Sequence, residues 1–390
     1  MTLPDLTPGA AIDWAAVEAW LAPIAPAAEL AATPQDHAFH AEGDVWTHTR
    51  MAVEALVAQP AYAAADPVAR GILAAAVLLH DVGKPSTTRV VPQEGGERIT
   101  SRGHSARGEG LARVALWRAG VPFGVREHVC ALVRYHQVPF FGITREPREA
   151  ERLALRLSLI LRHDWLTAVA EADGRGRRCA DPADQVRIVD HCGLWAEHCR
   201  EHGVLATARA FATPHARRVW CESEAPRSPD VPAHDDTTCE VTLMCGLPAA
   251  GKDSWLRANA PELPVISLDA VRDELDVEPG DSRGEVIALA RERAREMLRA
   301  GTSFAWNATN LSRDLRAQLL GFFRSYRART RIVYCEATAA DQRGRNRQRD
   351  AIVPARVIDR MLERWTVPDP TEAHAVLYVT PGDASWPPTS

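Results

Sequence analysis

The 390-residue sequence predicts two domains, an all-α domain followed by an α/β domain with a parallel sheet. In the first half, apolar residues recur at intervals of three and four, as in Trp14, Val17 and Leu21. In the second half, short apolar runs alternate with helical patterns, which is typical of parallel strands covered by helices. Between them, residues 213–238 contain four prolines among Ser, Asp and Thr, a linker composition. We therefore place the domains at 1–212 and 239–390.

The first half is predicted to be helical almost throughout. Its helices are expected over 12–60, 67–81, 104–119, 124–136, 148–173 and 182–210. The helix ending at residue 81 is rich in Ala and Leu and carries His80 and Asp81 at its C-terminal end. Residues 86–101, with a turn at Gly95-Gly96, predict a small hairpin or loop excursion.

The second half alternates strand and helix patterns. Strands are expected over 241–245, 264–267, 303–307, 331–335 and 375–379. Helices are expected from residue 252 onward and over 283–299, 312–327 and 353–365. This order predicts a parallel sheet with helices on both faces.

Composition and charge limit the class of protein. The hydrophobic fraction of 46% and charged fraction of 25% are those of a soluble globular protein, and no signal peptide or membrane-spanning apolar run is visible. The eight cysteines lack disulfide-like spacing, so we expect reduced thiols, a cytoplasmic location and no membrane partner. The net charge of −5 gives no overall attraction to nucleic acid, so polyanion binding would need local basic patches. Two such patches are Arg324, Arg327, Arg329, Arg331 and Arg343, Arg345, Arg347, Arg349.

Histidines and aspartates in the first half could converge on metal. The candidate ligands are His48, His80, Asp81, His104, His136 and Asp173. Histidine and carboxylate ligands suit zinc, manganese, iron, nickel or cobalt. A bound divalent metal lowers the pKa of water and polarises a phosphoryl oxygen. His40 either joins this site or stabilises a loop, whereas His128 and His163 are interpreted as packed or capping groups.

This order of residues resembles the HD-domain phosphohydrolases. In that superfamily a histidine, a His-Asp doublet and a distal aspartate hold the metal, and His48, His80, Asp81 and Asp173 match the pattern. Extra histidines occur in members with two metals, which implies a role for His104 and His136 and one or two divalent transition-metal ions. Asp164 competes with Asp173 for the distal position, and Asp173 is favoured because its surroundings are small and Gly-rich. Lys84 could contact a substrate phosphate as a point charge.

The second half contains a phosphate-binding loop between a strand and a helix. Gly246 and Gly251 let backbone N–H groups approach phosphates, and Lys252 at the helix start reaches the β- and γ-phosphates of ATP. The predicted ATP-binding residues of this loop are Gly246, Ala249, Ala250, Gly251, Lys252, Asp253 and Ser254. Asp253 stands where a Ser or Thr usually ligates Mg²⁺, and it could coordinate the ion or hold a ligated water.

Asp269 and Arg272 follow the second predicted strand at its C-terminal end, where ligands bind in open α/β sheets. The aspartate could accept the proton of an attacking hydroxyl, and the arginine could hold a phosphate. The plainer interpretation is a helix-capping aspartate with a surface arginine.

The second half resembles the polynucleotide 5′-hydroxyl kinases. In that family an Asp-x-x-Arg pair supplies the general base and a clamp, which Asp269 and Arg272 match. Thr309 and Asn310 match a Thr-Asn pair on the acceptor side. Two lid arginines four residues apart match Arg345 and Arg349, which would neutralise phosphates in the transition state. Without the resemblance, the second of the two basic patches is equally a solvated basic helix.

The combined order resembles the bacterial bifunctional end-healing enzymes called HD-Pnk. The resemblance implies that the second domain phosphorylates 5′-OH polynucleotide ends with ATP and Mg²⁺. It implies that the first domain hydrolyses 2′,3′-cyclic, 2′- or 3′-phosphate ends. RNA or DNA ends would be the partners, with a ligase acting downstream. The oligomeric state stays open.

Three alternatives also fit the sequence. One is a nucleotide-pool phosphohydrolase fused to a kinase of a small alcohol. Another is a tRNA-end enzyme, since CCA-adding proteins carry related HD domains, although no nucleotidyltransferase motif is apparent. The third is an ATP-gated nucleic-acid-binding module with decayed sites.

Overall fold

The structure is a computed structural model that describes residues 3–4, 6–93, 96–223, 227–277, 283–349, 351–382 and 386–387. The chain divides into two compact units. One contains residues 1–209 and 385–390, and the other contains residues 210–384. We call them the helical unit and the sheet unit. Within the described parts of the chain, every helix is too short or too polar to cross a bilayer.

The helical unit consists of α-helices and one small hairpin. Its helices are α1 Trp14–Leu21, α2 Ala27–Ala31, α3 Val45–Val57, α4 Pro60–Ala64, α5 Pro67–Leu79, α6 Lys84–Thr87, α7 His104–Arg118, α8 Phe123–Tyr135, α9 Val138–Gly142, α10 Pro147–Ser158, α11 His163–Arg175 and α12 Pro182–Glu201. The hairpin pairs β1 (Arg89–Gln93) antiparallel with β2 (Gly96–Thr100), and the Gly95 of the predicted turn lies outside the described residues.

Helix α5 is the central element of the helical unit. Asp66 caps it by accepting hydrogen bonds from Val68 N and Ala69 N, and Pro67 occupies the first turn. Most of the remaining positions of the helix are Ala, Leu, Val or Ile, and their side chains are buried from Ala69 onward. Because this helix is apolar all round, its C-terminal end and the residues that follow it lie deep in the unit.

The sheet unit is a parallel five-stranded sheet with helices. Its helices are α13 Pro214–Glu222, α14 Lys252–Asn259, α15 Leu268–Glu274, α16 Arg283–Arg299, α17 Arg313–Arg324, α18 Ala339–Arg347 and α19 Ala355–Leu362. Its strands are β3 Cys239–Cys245, β4 Val265–Ser267, β5 Phe304–Asn307, β6 Ala328–Cys335 and β7 Ala375–Val379, in the order β4-β5-β3-β6-β7. All neighbours pair in parallel, which confirms the predicted fold class.

Two local predictions were wrong. Residues 214–222 were assigned to a linker, yet they form α13, which Thr213 caps through Ala216 N and which starts with Pro214. Residues 148–173 were predicted as one helix, but α10 ends at Ser158 and α11 begins at His163. The apolar residues 159–161 are buried in the break, and they continue the helical periodicity without a glycine or proline to mark it.

Candidate functional site

Four ligand candidates meet at the C-terminal end of α5. His48 of α3 places its Nε2 atom 3.2 Å from His80 Nε2 and 3.1 Å from Asp173 Oδ1 of α11. His80 Nε2 lies 3.2 Å from Asp81 Oδ2. All four side chains are buried. The structure therefore brings the doublet, the earlier histidine and the distal aspartate into one cluster.

Asp81 joins this cluster to two further histidines. His104 Nε2, at the start of α7, lies 3.4 Å from Asp81 Oδ1 and 3.4 Å from His136 Nε2, which directly follows α8. The two oxygens of Asp81 thus face different sets of histidines. Ligand atoms of His48, His80 and Asp173 lie close enough to hold one ion, and those of Asp81, His104 and His136 close enough to hold another. A carboxylate between the two sets is placed to bridge them.

Backbone carbonyls orient three of the histidine rings in the same way. In each case Nδ1 donates to the carbonyl oxygen three residues earlier, which leaves the Nε2 lone pair facing the cluster. The three bonds are His80 to Val77 O at 2.6 Å, His104 to Ser101 O at 2.8 Å and His136 to Val133 O at 2.8 Å. This repeated geometry is the orientation a metal ligand requires.

The fourth histidine is oriented by a carboxylate instead. His48 Nδ1 lies 3.0 Å from Glu42 Oε1, and His40 Nδ1 lies 2.9 Å from the same oxygen. Glu42 Oε2 accepts the N–H of Arg178 at 2.9 Å. His40 therefore lies behind His48 rather than among the cluster. Sequence reasoning missed Glu42, and the only local signal was its position between His40 and the cap of α3.

Charges around the cluster favour ionised carboxylates. Burial would raise the pKa of Asp81, but His80 and Lys84 hold it well below its usual range. Burial would likewise raise the pKa of Asp173, but Arg177 and His48 hold it low. Burial lowers the pKa of His136 to about 3, so this ring is neutral and its lone pair is free at neutral pH. Together these groups form a buried donor set of imidazoles and carboxylates, which fits a divalent transition metal.

The choice between Asp173 and Asp164 follows from helix geometry. Both lie on α11, nine residues apart, which separates them by roughly 13 Å along the axis. Asp173 contacts His48 and is paired with Arg177, a residue that sequence reasoning also missed. Asp164, at the N-terminal end, instead accepts hydrogen bonds from Arg162 at 3.0 and 2.6 Å. The structure thus brings Asp173, and not Asp164, to the histidines.

Lys84 is held at the edge of the cluster. Its Nζ atom lies 2.7 Å from Asp81 Oδ2 and donates to Gln35 Oε1 at 2.5 Å. The side chain is almost fully buried. In this arrangement Lys84 compensates the charge of a ligand, and a substrate phosphate would have to reach it beside Asp81.

The turn after the His-Asp doublet is packed against α7. A β-carbon on Gly83 would lie 2.1 Å from the carbonyl oxygen of His104 and 2.8 Å from Gly108 N. No side chain fits between these backbone atoms. Gly83 therefore sets the distance between the part of the cluster on α5 and the part on α7.

The phosphate-binding loop has the conformation that its glycines predict. Gly246 has φ 146° and Gly251 has φ 102°, and a β-carbon on Gly246 would lie 2.2 Å from the carbonyl oxygen of Cys335. Ala249 also has positive φ, at 64°. Lys252 Nζ donates to the carbonyls of Gly246 and Leu247 at 3.1 and 2.9 Å. Burial lowers the pKa of Lys252, and nearby Arg349 adds to this effect.

Asp253 and Ser254 point to different partners. Asn307 Nδ2, at the end of β5, donates to Asp253 Oδ1 at 2.6 Å. Ser254 is exposed on α14, where Arg257 donates to its hydroxyl at 3.3 Å. Asp253, rather than Ser254, is therefore the residue of this turn that faces the neighbouring strand.

The predicted acceptor pair lies in the open. Asp269 and Arg272 belong to α15, directly after β4, and their Oδ1 and Nη1 atoms are 2.7 Å apart. The Asp269 side chain is 75% exposed and that of Arg272 is 29% exposed. Ser267 caps the helix by accepting a hydrogen bond from Ala270 N. Asp269 is therefore not the helix cap that the plainer interpretation of the sequence suggested.

Thr309 and Asn310, the predicted acceptor-binding pair, follow β5 closely in the chain. The Asn310 side chain is 1% exposed and its Nδ2 atom donates to Met244 O at 2.7 Å, so its NH₂ group faces the end of β3. The carbonyl of Thr309 accepts the N–H of Gly246 at 2.9 Å. Both residues therefore contact β3 or the loop that follows it, and their role in acceptor binding stays a prediction.

The two predicted lid arginines lie beside the phosphate-binding loop. The Arg345 guanidinium of α18 lies 3.8 Å from where a β-carbon of Gly251 would stand. Arg349 is near enough to Lys252 to lower its pKa. Gln342 is buried and anchors α18 to the loop by donating to Pro248 O at 3.0 Å. The loop is therefore surrounded by three cationic side chains.

Family models match both units. Residues 45–181 match the HD domain, and residues 241–368 match an AAA domain. The chain is thus a fusion of an N-terminal HD domain and a C-terminal P-loop kinase-like domain. The HD domain implies a metal, and the clustered histidines and aspartates are candidates to hold it.

Two curated proteins resemble parts of the chain. It is 33% identical over 158 residues to the multifunctional CCA protein of Halorhodospira halophila, covering 40% of this chain and 35% of that protein. It is 41% identical over 91 residues to the CC-adding tRNA nucleotidyltransferase of Thermus thermophilus, covering 23% of this chain and 19% of that protein. The chain therefore spans about a third and about a fifth of the length of these relatives.

Solved structures of kinases share limited similarity with the chain. A Chloroflexus aurantiacus protein assigned as a kinase aligns with TM-score 0.32 and 19% identity, over 37% of this chain and 86% of that one. A sugar kinase from Janibacter sp. HTCC2649 aligns with TM-score 0.29 and 17% identity, over 36% of this chain and 85% of that one.

Proposed function

We propose that this protein repairs broken polynucleotide ends, with the sheet unit phosphorylating 5′-OH ends and the helical unit removing phosphate from 2′,3′-cyclic, 2′- or 3′-phosphate ends. The observation that carries the choice of a polynucleotide is the exposed position of the Asp269–Arg272 pair. An acceptor site open to solvent admits the end of a long chain, whereas a kinase of a small alcohol usually encloses its acceptor.

In the kinase reaction the residues around the loop would position and neutralise phosphates. Lys252 and the loop N–H groups would hold the β- and γ-phosphates, and Arg345 and Arg349 would contact the transferring group. Asp269 would accept the proton of the 5′-hydroxyl while the hydroxyl oxygen bonds to the γ-phosphorus of ATP. The bond to the bridging oxygen of ADP breaks in the same transfer, so ADP leaves with that electron pair. Arg272, paired with Asp269, would hold the phosphodiester nearest the 5′-hydroxyl of the acceptor strand.

In the hydrolase reaction the six-residue cluster would hold one or two divalent metal ions. When bound, the metal would activate water and polarise a phosphoryl oxygen. His80, His104 and His136 would present fixed Nε2 lone pairs, because their Nδ1 atoms already donate to carbonyls. Lys84, next to Asp81, would attract the phosphate to the cluster. The partners would be RNA or DNA ends, and a ligase would use the repaired products.

RNA is the preferred substrate of the helical unit in this proposal. A 2′,3′-cyclic phosphate requires a ribose 2′-hydroxyl, and the two similar curated proteins are named for CCA or tRNA chemistry. A second candidate function follows from that similarity: the helical unit acts on tRNA 3′ ends. A tRNA ending in a 2′,3′-cyclic phosphate, compared with an unstructured RNA of equal end sequence, separates general from tRNA-specific repair.

The test uses one oligoribonucleotide with a 5′-hydroxyl and a 2′,3′-cyclic phosphate, labelled ATP, and both ends analysed by product mobility. We expect transfer of label to the 5′ end and loss of the 3′ phosphate. A nucleoside 3′-phosphate serves as the competing small acceptor. Equal or faster phosphorylation of that nucleotide would reject the polynucleotide proposal in favour of a nucleotide-pool kinase.

A further inference from the structure

We propose that Asp253 and Asn307 together form the magnesium-binding pair of the kinase site, with the carboxylate and the neutral oxygen exchanged between their usual positions. The inference rests on the proposed ATP-dependent function of the sheet unit. In P-loop NTPases such as Ras, Mg²⁺ is held by a Ser or Thr hydroxyl on the loop and by an Asp carboxylate elsewhere in the site. Here the loop position carries the carboxylate.

The position of Asn307 matches the missing partner. It is the last residue of β5, and β5 pairs directly with β3, the strand that leads into the phosphate-binding loop. The C-terminal ends of parallel strands form the ligand-binding edge of such a sheet. Asn307 Nδ2 donates to Asp253 Oδ1 at 2.6 Å, across 54 residues of sequence.

The second amide atom of Asn307 lacks a partner. Asn307 is 9% exposed, and its buried Oδ1 atom accepts no hydrogen bond from any described residue. The orientation of the amide is fixed by chemistry, because a carboxylate can only accept and so must face the NH₂ group. A buried oxygen without a donor destabilises the fold, so a ligand for that oxygen is expected.

The two side chains therefore offer oxygen atoms of the kind that Mg²⁺ prefers. One Asp253 oxygen is held by Asn307, and the remaining Asp253 oxygen and Asn307 Oδ1 are available for the ion or its waters. Asp253 is next to Lys252, which is expected to reach the β- and γ-phosphates. The total charge of the usual pair, one carboxylate and one neutral oxygen, is unchanged. Only the two locations differ.

The exchange makes a prediction about paired substitutions. Asp253→Ser alone leaves two neutral residues, and Asn307→Asp alone places two carboxylates within hydrogen-bond distance of each other. Each single variant should raise the Mg²⁺ concentration needed for half-maximal ATP binding by ~10-fold or more. The double variant Asp253→Ser with Asn307→Asp restores one hydroxyl and one carboxylate. It should return to within a few-fold of the wild-type value.

The experiment is calorimetric titration of ATP into the full-length protein over a series of Mg²⁺ concentrations, without acceptor. Ser325→Ala is the control, because that exposed hydroxyl donates to Phe322 O at 2.7 Å at the end of α17, and it should leave the Mg²⁺ dependence unchanged. ATP binding without Mg²⁺ should survive in the single variants, which shows that they are folded. If the double variant is as impaired as the two single variants combined, or if Asp253→Ser leaves the Mg²⁺ dependence unaltered, the exchange is wrong.

The same titration separates this inference from the proposed function. A wild-type protein that binds Mg-ATP but phosphorylates no polynucleotide contradicts end repair and leaves the magnesium pair intact, provided that the reciprocal rescue is seen. A protein that phosphorylates 5′-OH ends but shows no rescue contradicts the magnesium pair alone.

Discussion

The metal cluster of the helical unit and the phosphate-binding site of the sheet unit differ in how complete they are. His48 and His136 are fully buried and Asp81 is 2% exposed. His80, His104 and His136 donate to backbone carbonyls, and His48 Nδ1 lies 3.0 Å from Glu42 Oε1. In the sheet unit the Asp269 side chain is 75% exposed and Lys252 folds back onto loop carbonyls. In the first site the ligand candidates already contact one another, whereas in the second Lys252 and Asp269 are paired with neighbouring protein groups.

The largest effect should come from Asp81, the carboxylate between the two sets of histidines in the buried cluster. Asp81→Ala removes the carboxylate that faces both sets of histidines, so metal binding and phosphate removal should fall by ~10³-fold or more. Kinase activity should stay within a factor of two. Release of phosphate from a 3′-phosphorylated RNA and the metal content of the purified variant check this. Loss of both activities in a folded variant would show that the sites are not independent.

The mirror experiment removes the proposed base of the open site. Asp269→Ala should lower the kinase kcat by ~10²–10⁴-fold, because the hydroxyl proton would lose its proposed acceptor. Since Asp269 is exposed, thermal stability should be unaffected. Label transfer to a 5′-OH oligonucleotide measures the loss, and 3′-phosphate hydrolysis by the same sample is the control. Near-normal transfer would mean that Asp269 is only a surface residue.

The lid arginines test whether the open site closes on its ligand. Arg345→Ala should lower kinase kcat by ~10²-fold, because its guanidinium lies beside Gly251, where the phosphates bind. Arg343→Ala is the matched control, since residues two apart project from opposite faces of α18. Single-turnover rates at saturating ATP would report the difference. Equal losses in the two variants would reduce α18 to a general basic surface.

A smaller effect should come from Glu42, which orients a ligand without being one. Glu42→Ala should weaken metal affinity by ~10–100-fold, the usual cost of losing such a partner. The amide oxygen of Glu42→Gln can still accept from His48, so the metal affinity of this variant should lie between those of the wild type and Glu42→Ala. Metal retained after dialysis against a graded chelator series measures this. The exposed Glu54→Ala, on α3, is the control. If Glu42→Ala retains as much metal as the wild type, the carboxylate of Glu42 does not contribute to metal binding through His48.

The smallest effect concerns pH and a histidine away from the cluster. His163 Nε2 donates to Ala154 O at 2.9 Å and its Nδ1 accepts from Trp195 Nε1 at 3.3 Å, and burial lowers its pKa to about 4. Unfolded chains bind the proton near pH 6.5, so stability is full above that pH and is lost as pH falls towards 4. The loss cannot exceed about 1.4 kcal/mol per pH unit. The free energy of unfolding, measured by denaturant melts at a series of pH values, should depend less steeply on pH in His163→Gln than in the wild type.

Local patterns predicted a large share of both units. The strand, glycine turn and helix around Lys252 are contiguous, so their order alone places the loop at the edge of the sheet. His80 and Asp81 were expected at the end of a helix, where the structure has them. The metal-ligand residues were recognisable because their types and order are restricted by coordination chemistry, although the sequence could not show their distances.

The residues that were missed act through side-chain contacts that residue type and spacing do not reveal. Glu42 is notable only for its place beside His48, and Asn307 only because Asp253 lies opposite it across the sheet edge. The break between α10 and α11 left no trace, because its apolar residues keep a helical spacing while they fill the core. Tertiary packing determines such contacts, and the spacing of residues within one segment does not predict them.

The clamp at Gly83 has a practical consequence. Backbone packing against His104 and Gly108 fixes both ends of the excursion that carries the β1–β2 hairpin, while the hairpin strands themselves are largely exposed. Exposed strand positions such as Val90 should therefore accept substitution without disturbing the candidate ligands on either side. A fluorescent probe attached at Val90 would test whether an RNA strand approaches this part of the helical unit, as the proposed function expects.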